Sequence, residues 1–127
     1  MKEFSTSWKG SKDPSKQRKY SLNAPNHLKR KQVSSHLSKD LRTQYNRRSM
    51  QVKAGDSVKI LRGQFRKLSG KVNRVDLKKV RVFVEGIGLT KKDGSKVPYP
   101  LHPSNLMIQT LDISDKKRKA IVERNKK

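Results

Sequence analysis

Cysteine is absent from this 127-residue chain, which removes disulfides, thiolate metal sites and cysteine nucleophiles together and makes a reducing compartment the default. Acidic residues are scarce: ten Asp and Glu face 33 Lys and Arg, a formal net charge of +23. Hydrophobic residues make up 31% and aromatics 6%, against 34% charged, so only part of the chain has the apolar side chains a core needs. Long hydrophobic runs are missing as well. The N-terminal stretch MKEFSTSWKGSKDPSK has no apolar segment of the signal-peptide kind, and nowhere do about 18 apolar residues run together. The expectation is a soluble intracellular protein with no membrane span.

What is present is positive charge, spread along the whole chain. Basic residues outnumber acidic ones 13 to 3 in residues 1–50, 13 to 4 in 51–110 and 7 to 3 in 111–127. That much charge repels itself in a compact state unless a polyanion neutralises it. The partner therefore has to touch nearly every part of the chain. The length holds one modest domain, since a single core organises on the order of 100–200 residues.

Residues 1–36 hold few large apolar side chains (Phe4, Trp8, Tyr20, Leu22, Leu28, Val33), at neither helical nor strand spacing. Such a segment buries too little surface to offset the entropy of ordering, and is expected to be extended or disordered until bound. Two basic clusters punctuate it, KQRK with Lys16, Arg18 and Lys19, and LKRK with Lys29, Arg30 and Lys31. With Trp8 and Tyr20 nearby they fit RNA, because a ring stacks on an unpaired base while its cationic neighbours meet phosphates. In LSKDLRTQY, Leu37, Leu41 and Tyr45 recur every four residues behind Ser38, which predicts a short helix near 38–45 capped by that serine. Arg42, and just beyond it Arg47 and Arg48, add cations away from the apolar side.

More than half of the hydrophobic residues lie in 51–110, and there they alternate: Val58 and Ile60, then Val72, then Val80, Val82 and Val84. This period of two in β-branched residues predicts strands near 57–62, 71–76, 80–85, 96–100 and 106–110. Leu77–Lys79 is short enough for a hairpin, and Asp93-Gly94 is a pair that tight turns favour. Pro98, Pro100 and Pro103 lack amide donors and belong at an edge or outside the sheet. Five short antiparallel strands suggest a small closed or nearly closed barrel. The division is a basic N-terminal extension over 1–49, the barrel over 50–110 and a basic tail over 111–127. In that tail Ser114 is a possible cap, with Ala120 and Ile121 on one side of a short helix.

Between the first two predicted strands lies GQFRKLSG, bounded by Gly63 and Gly70. Glycine suits both ends because it reaches positive φ and lets another backbone come close. Arg62, Arg66, Lys67 and Lys71 are expected to converge at one end of the barrel, with Phe65 and Leu68 either anchoring the loop or offering a stacking face. Cations on a rigid scaffold match a fixed phosphate geometry better than a loose tail does. Arg74 on the next strand and Lys78 and Lys79 in its turn extend the candidate RNA-binding set. His102 in LHPSN reads as a hydrogen-bonding loop residue or an RNA contact rather than a base. His27, His36 and His102 are scattered and no nucleophile–base pairing is visible, so neither catalysis, a metal nor a cofactor is expected. Gly86-Ile87-Gly88 reads as a strand break.

The span Ala54–Asp76, with Gly55-Asp56, alternating apolar positions, Gly63 and Gly70, resembles a KOW motif, the hairpin core of an SH3-like barrel. The resemblance extends through KQRKYSLNAPNHLKRK, LSKDLRTQY, VKAGDSVKILRG and LHPSNLMIQTL. These follow one another as in the archaeal and eukaryotic form of a universal large-subunit ribosomal protein family, numbered twenty-four in bacteria and twenty-six in eukaryotes, over roughly residues 12–125. The resemblance implies a cytoplasmic, non-catalytic constituent of the large ribosomal subunit. It further implies binding to large-subunit rRNA near its 5′ domain beside neighbouring ribosomal proteins, a role early in assembly, and a place close to the exit of the peptide tunnel. Two rivals share features with it. A transcription elongation factor carries the same barrel but usually adds further domains, and a chromatin-type protein uses basic arms on DNA.

Overall fold

The computed structural model describes residues 4–5 and 10–124; the candidate stacking residue Trp8 lies outside them. The chain begins with two helices, α1 (Pro14–Asn23) and α2 (Asn26–Gln32). Strand β1 (Ser34–Leu37), helix α3 (Lys39–Tyr45) and strand β2 (Ser49–Gln51) follow. The extended N-terminal arm with a single helix is thereby corrected, among the described residues, to three helices and two strands. A local signal explains the first helix. Asp13 accepts the Ser15 amide at 2.9 Å and Pro14 takes the opening position, where a missing N–H costs nothing. None of α1's residues is fully buried, so capping sustains it more than core packing does.

Ser38 caps α3 as expected, accepting the Leu41 amide, and Asn46 ends the helix in the left-handed region at φ 48°. The strands β3 (Ser57–Ile60), β4 (Ser69–Asp76), β5 (Arg81–Val84) and β8 (Leu106–Thr110) match four of the five predicted. The fifth, β7 (Lys96–Pro98), pairs with an unpredicted β6 (Gly88–Thr90) in a separate two-stranded ribbon. The main sheet runs β2-β1-β8-β3-β4-β5. It is mixed: β1 pairs with β8 in parallel (Leu37 opposite Ile108), while its other pairings are antiparallel.

Alternation places Val58, Ile60, Val72, Val82, Val84, Leu106 and Ile108 in the core, where they meet Val33 and Leu37 from before the sheet's central strands. Val80 breaks the pattern. It sits in the β4–β5 turn at φ 53°, and β5 begins one residue later. Such a φ is unfavourable for a β-branched residue; Asp76 holds the turn by accepting the Lys78 and Lys79 amides at 2.9 and 3.1 Å.

The last helix, α4 (Lys116–Glu123), is capped by Asp115, which accepts the Lys117 amide, and not by Ser114. Its buried residues are Arg118 and Val122, whereas Ala120 and Ile121 are exposed. Burial follows the ion pair that Arg118 makes with Asp56. Val122, one turn later on the same face, is carried inward with it.

Candidate nucleic-acid interface

The β3–β4 loop is stiff. Gly63 at φ 95° and Lys67 at φ 75° reverse the chain. The Arg66 amide donates to Gly63 O at 3.1 Å, the Lys67 amide to Ile60 O at 2.9 Å and the Leu68 amide to Phe65 O at 3.2 Å. From outside the loop, Leu61 N–H binds Asn105 O at 2.8 Å. Phe65 is half-buried and meets Tyr99 edge to face, with ring centroids 5.1 Å apart and planes at 60°. Of the two apolar loop residues, then, Phe65 is the anchor, while Leu68 is half exposed. Arg62, Arg66 and Lys67 are exposed on this frame.

Gly70 has a different task from Gly63. It lies inside β4 opposite Val58, not at the loop's end, and its φ is not positive. A Cβ there would stand 2.7 Å from Val84 Cγ1 and 2.8 Å from Glu85 O. Close approach of β5 is what requires glycine here. Lys71 follows in the strand, exposed and paired with Ser57.

The other candidate cations divide by what they touch. Lys16, Arg18 and Lys19 on α1, Arg30 and Lys31 on α2, Arg48, Lys78 and Lys79 are exposed. Lys29 is buried and donates to Leu22 O at 2.8 Å, tying α2 to α1. Arg42 Nε donates to Leu37 O at 2.8 Å, and Arg47 Nη1 to Ile121 O at 3.2 Å, which joins α4. Arg74 lies over the Phe83 ring, 4.4 Å from its centroid. His102 accepts the Ser104 amide at Nδ1, 3.3 Å, and so caps the 3-10 turn Pro103–Asn105.

Several acidic side chains are engaged by the protein's own donors. Asp76 is held below its ordinary pKa first by the Lys79 amide, with the Lys78 amide and the charges of Lys79 and Arg74 helping against desolvation. Asp93 is lowered mainly by the Ser95 hydroxyl and amide. Asp112 is lowered by the Ser114 amide and hydroxyl, then by the Arg118 and Lys53 charges. Asp115 is lowered by its hydrogen bond with Lys53, 2.9 Å, and by the Lys117 amide. With Asp13 capping α1 and Asp56 fully buried, six of the ten acids serve the fold. Engaged by the protein's own donors, these six leave much of the outer surface to cations.

Sequence reasoning did not single out Arg81, Tyr99 or Asn105, which with Arg62, Phe65 and His102 line one cleft beside the loop. The signal was faint: Tyr99 stands between two prolines, in a stretch read only as an edge.

A compact mainly β framework with a cationic exterior is the kind of protein that works against a polyanion. Residues 11–125 match the family of ribosomal proteins L26 of eukaryotes and L24p of archaea, and the chain belongs to that family. It is thus a large-subunit ribosomal protein with a structural role in the translation machinery, placed with the ribosome in the cytoplasm. RNA binding is typical of the family, whose membership implies rRNA and other ribosomal proteins as partners and which is not known for enzymes. Among the described residues no helix is long and apolar enough to cross a membrane.

Proposed function

We propose that the chain binds large-subunit rRNA near its 5′ domain, early in subunit assembly and close to the exit of the peptide tunnel. On this reading the β3–β4 pair is the KOW hairpin of an SH3-like barrel, and its loop is a phosphate-reading tip. The observation that carries it is the loop itself: Arg66 and Lys67 exposed on a turn fixed by Gly63, by the left-handed Lys67 and by the Phe65–Tyr99 contact. Ordered cations lose little conformational freedom on meeting phosphates, unlike those of a free tail. Arg62, Lys71, Lys78 and Lys79 extend the tip contact along the sheet, and the basic helices α1 and α2 reach neighbouring RNA. A-form RNA is met through shape, backbone and unpaired bases, which suits a rigid tip flanked by basic helices.

Two measurements test this. Binding of the full chain to a structured large-subunit rRNA fragment should exceed binding to duplex DNA of equal length at matched salt. The protein should also co-sediment with large subunits after a high-salt wash. Equal affinity for the two nucleic acids, together with release in the wash, would return the protein to a general polyanion binder.

A further inference from the structure

The cleft beside the β3–β4 loop combines features that a plain phosphate contact does not use. Its volume is about 170 Å³, below the roughly 300–1,000 Å³ of clefts that enclose drug-sized molecules. It has room for one ring system and not for a stacked pair. Phe65 and Tyr99, braced edge to face, form an aromatic wall, and buried Leu101 lies behind them. Arg62 and Arg81 contribute cations to the lining, and among the described residues no acidic one lines the space. Arg81 is steadied by donating from Nη1 to Val80 O at 3.1 Å. His102, its Nδ1 2.7 Å from Ser104 Oγ and 3.3 Å from the Ser104 amide, adds an imidazole to the lining.

We propose that this cleft receives one unpaired nucleotide of the RNA, its base against the Tyr99–Phe65 wall and its phosphate drawn by Arg62 and Arg81. This rests on the rRNA-binding reading above and adds to it a single-base site. A free anion would engage the cations and leave the aromatic wall idle; a base paired within a helix would not enter a space this small. An unpaired base meets both needs, since stacking satisfies the rings while the guanidinium groups take the backbone. The side-chain amide of Asn105 and the imidazole of His102 offer polar contacts to the base edge.

The test is base-accessibility probing and ultraviolet crosslinking of the full chain bound to a large-subunit rRNA fragment. In the wild-type complex one base that reacts in the free RNA becomes protected, and mass spectrometry finds a nucleotide adduct on Phe65 or Tyr99. Tyr99→Leu keeps an apolar wall but removes the ring, so it should re-expose that base and weaken binding about tenfold, with the salt slope unchanged. Adducts confined to other segments, or a Tyr99→Leu complex with wild-type protection and affinity, overturn the cleft assignment while leaving RNA binding intact. Loss of all salt-dependent RNA binding by the wild type would instead overturn the reading beneath it. If Tyr99→Leu does not fold, the wild-type adduct decides alone.

Discussion

Arg118 on α4 grips Asp56 at the entrance to β3 through both carboxylate oxygens, Nη1 to Oδ1 and Nη2 to Oδ2, each at 2.6 Å. Neither side chain reaches much solvent: Asp56 is 0% exposed and Arg118 6%. The carboxylate also accepts the Lys53 and Asp112 amides, and the guanidinium also donates to Asp112 O and Gln51 O. Every partner is in place, which is the condition under which a buried ion pair holds a structure together. The pair clamps the C-terminal helix onto the sheet.

Removing one partner strands the other. Arg118→Met should lower stability by about 3–5 kcal/mol, because a buried carboxylate loses its counter-charge. Asp56→Asn with Arg118→Met should cost less than the two single changes summed. Denaturant midpoints for the three variants check this, and additive losses would show that the two side chains act independently.

The glycines of the hairpin should respond differently. Gly70→Ala pushes a Cβ into Val84 and the Glu85 carbonyl just past β5, an overpacking worth about 1–3 kcal/mol. Gly63→Ala meets open space and costs only the left-handed backbone, about 1–2 kcal/mol. Enlarging Gly70 to Val and Gly63 to Leu, which is not β-branched, separates the two causes: the loss at Gly70 should grow with side-chain size, whereas Gly63 has room for the added atoms. Urea midpoints of the four variants decide it, and an unchanged midpoint for Gly70→Val would contradict the close packing of β4 on β5.

Asp76, Asp93, Asp112 and Asp115 all have folded-state pKa values below the ordinary 3.8. A carboxylate lowered by folding contributes stability that is present above its unfolded value and lost as pH falls through its folded value. Stability should therefore be level through neutral pH and decline below about pH 4. Asp115→Asn, which removes both the Lys53 contact and a titrating cap, should make the acid decline shallower. Midpoints measured from pH 7 to pH 2 check the sign; a stability that rises on acidification would refute it.

Helix α1 has a cap but no buried residue, and an isolated helix of this length is marginal in water. Its amides should exchange rapidly in the free protein and slow on binding RNA. Strong protection of 14–23 in the free chain would contradict this.

How much the sequence disclosed depended on the strength of each local signal. Val58, Ile60, Val82 and Val84 alternate cleanly, and their strands lie where that period puts them. Ser34–Leu37 carries a single aliphatic residue; it becomes a strand because β2 pairs with it on one side and β8, far along the chain, on the other, which no local pattern of its own carries. The Asp13-Pro14 start of α1 was legible, but the sparse apolar residues around it drew attention to disorder instead. In the tail, Ala120 and Ile121 looked like the inner face, yet a charged residue, Arg118, is the buried one. Its partner lies 62 positions away, beyond the reach of helical periodicity. The cationic tip was readable from Gly63, Arg66 and Lys67 alone, whereas the cleft needed Tyr99 and Arg81 brought beside it by the fold.

The most direct test of the account is a salt series on binding to a large-subunit rRNA fragment, comparing wild type with Arg66→Gln/Lys67→Gln. Both side chains are exposed, so the fold should survive, as an unchanged denaturant midpoint would confirm. If each cation neutralises one phosphate, the logarithmic salt slope should fall by roughly 0.7–0.9 per contact, with a matching loss of affinity at low salt. Parallel, superimposed lines would contradict the tip contact and leave the loop as turn chemistry alone.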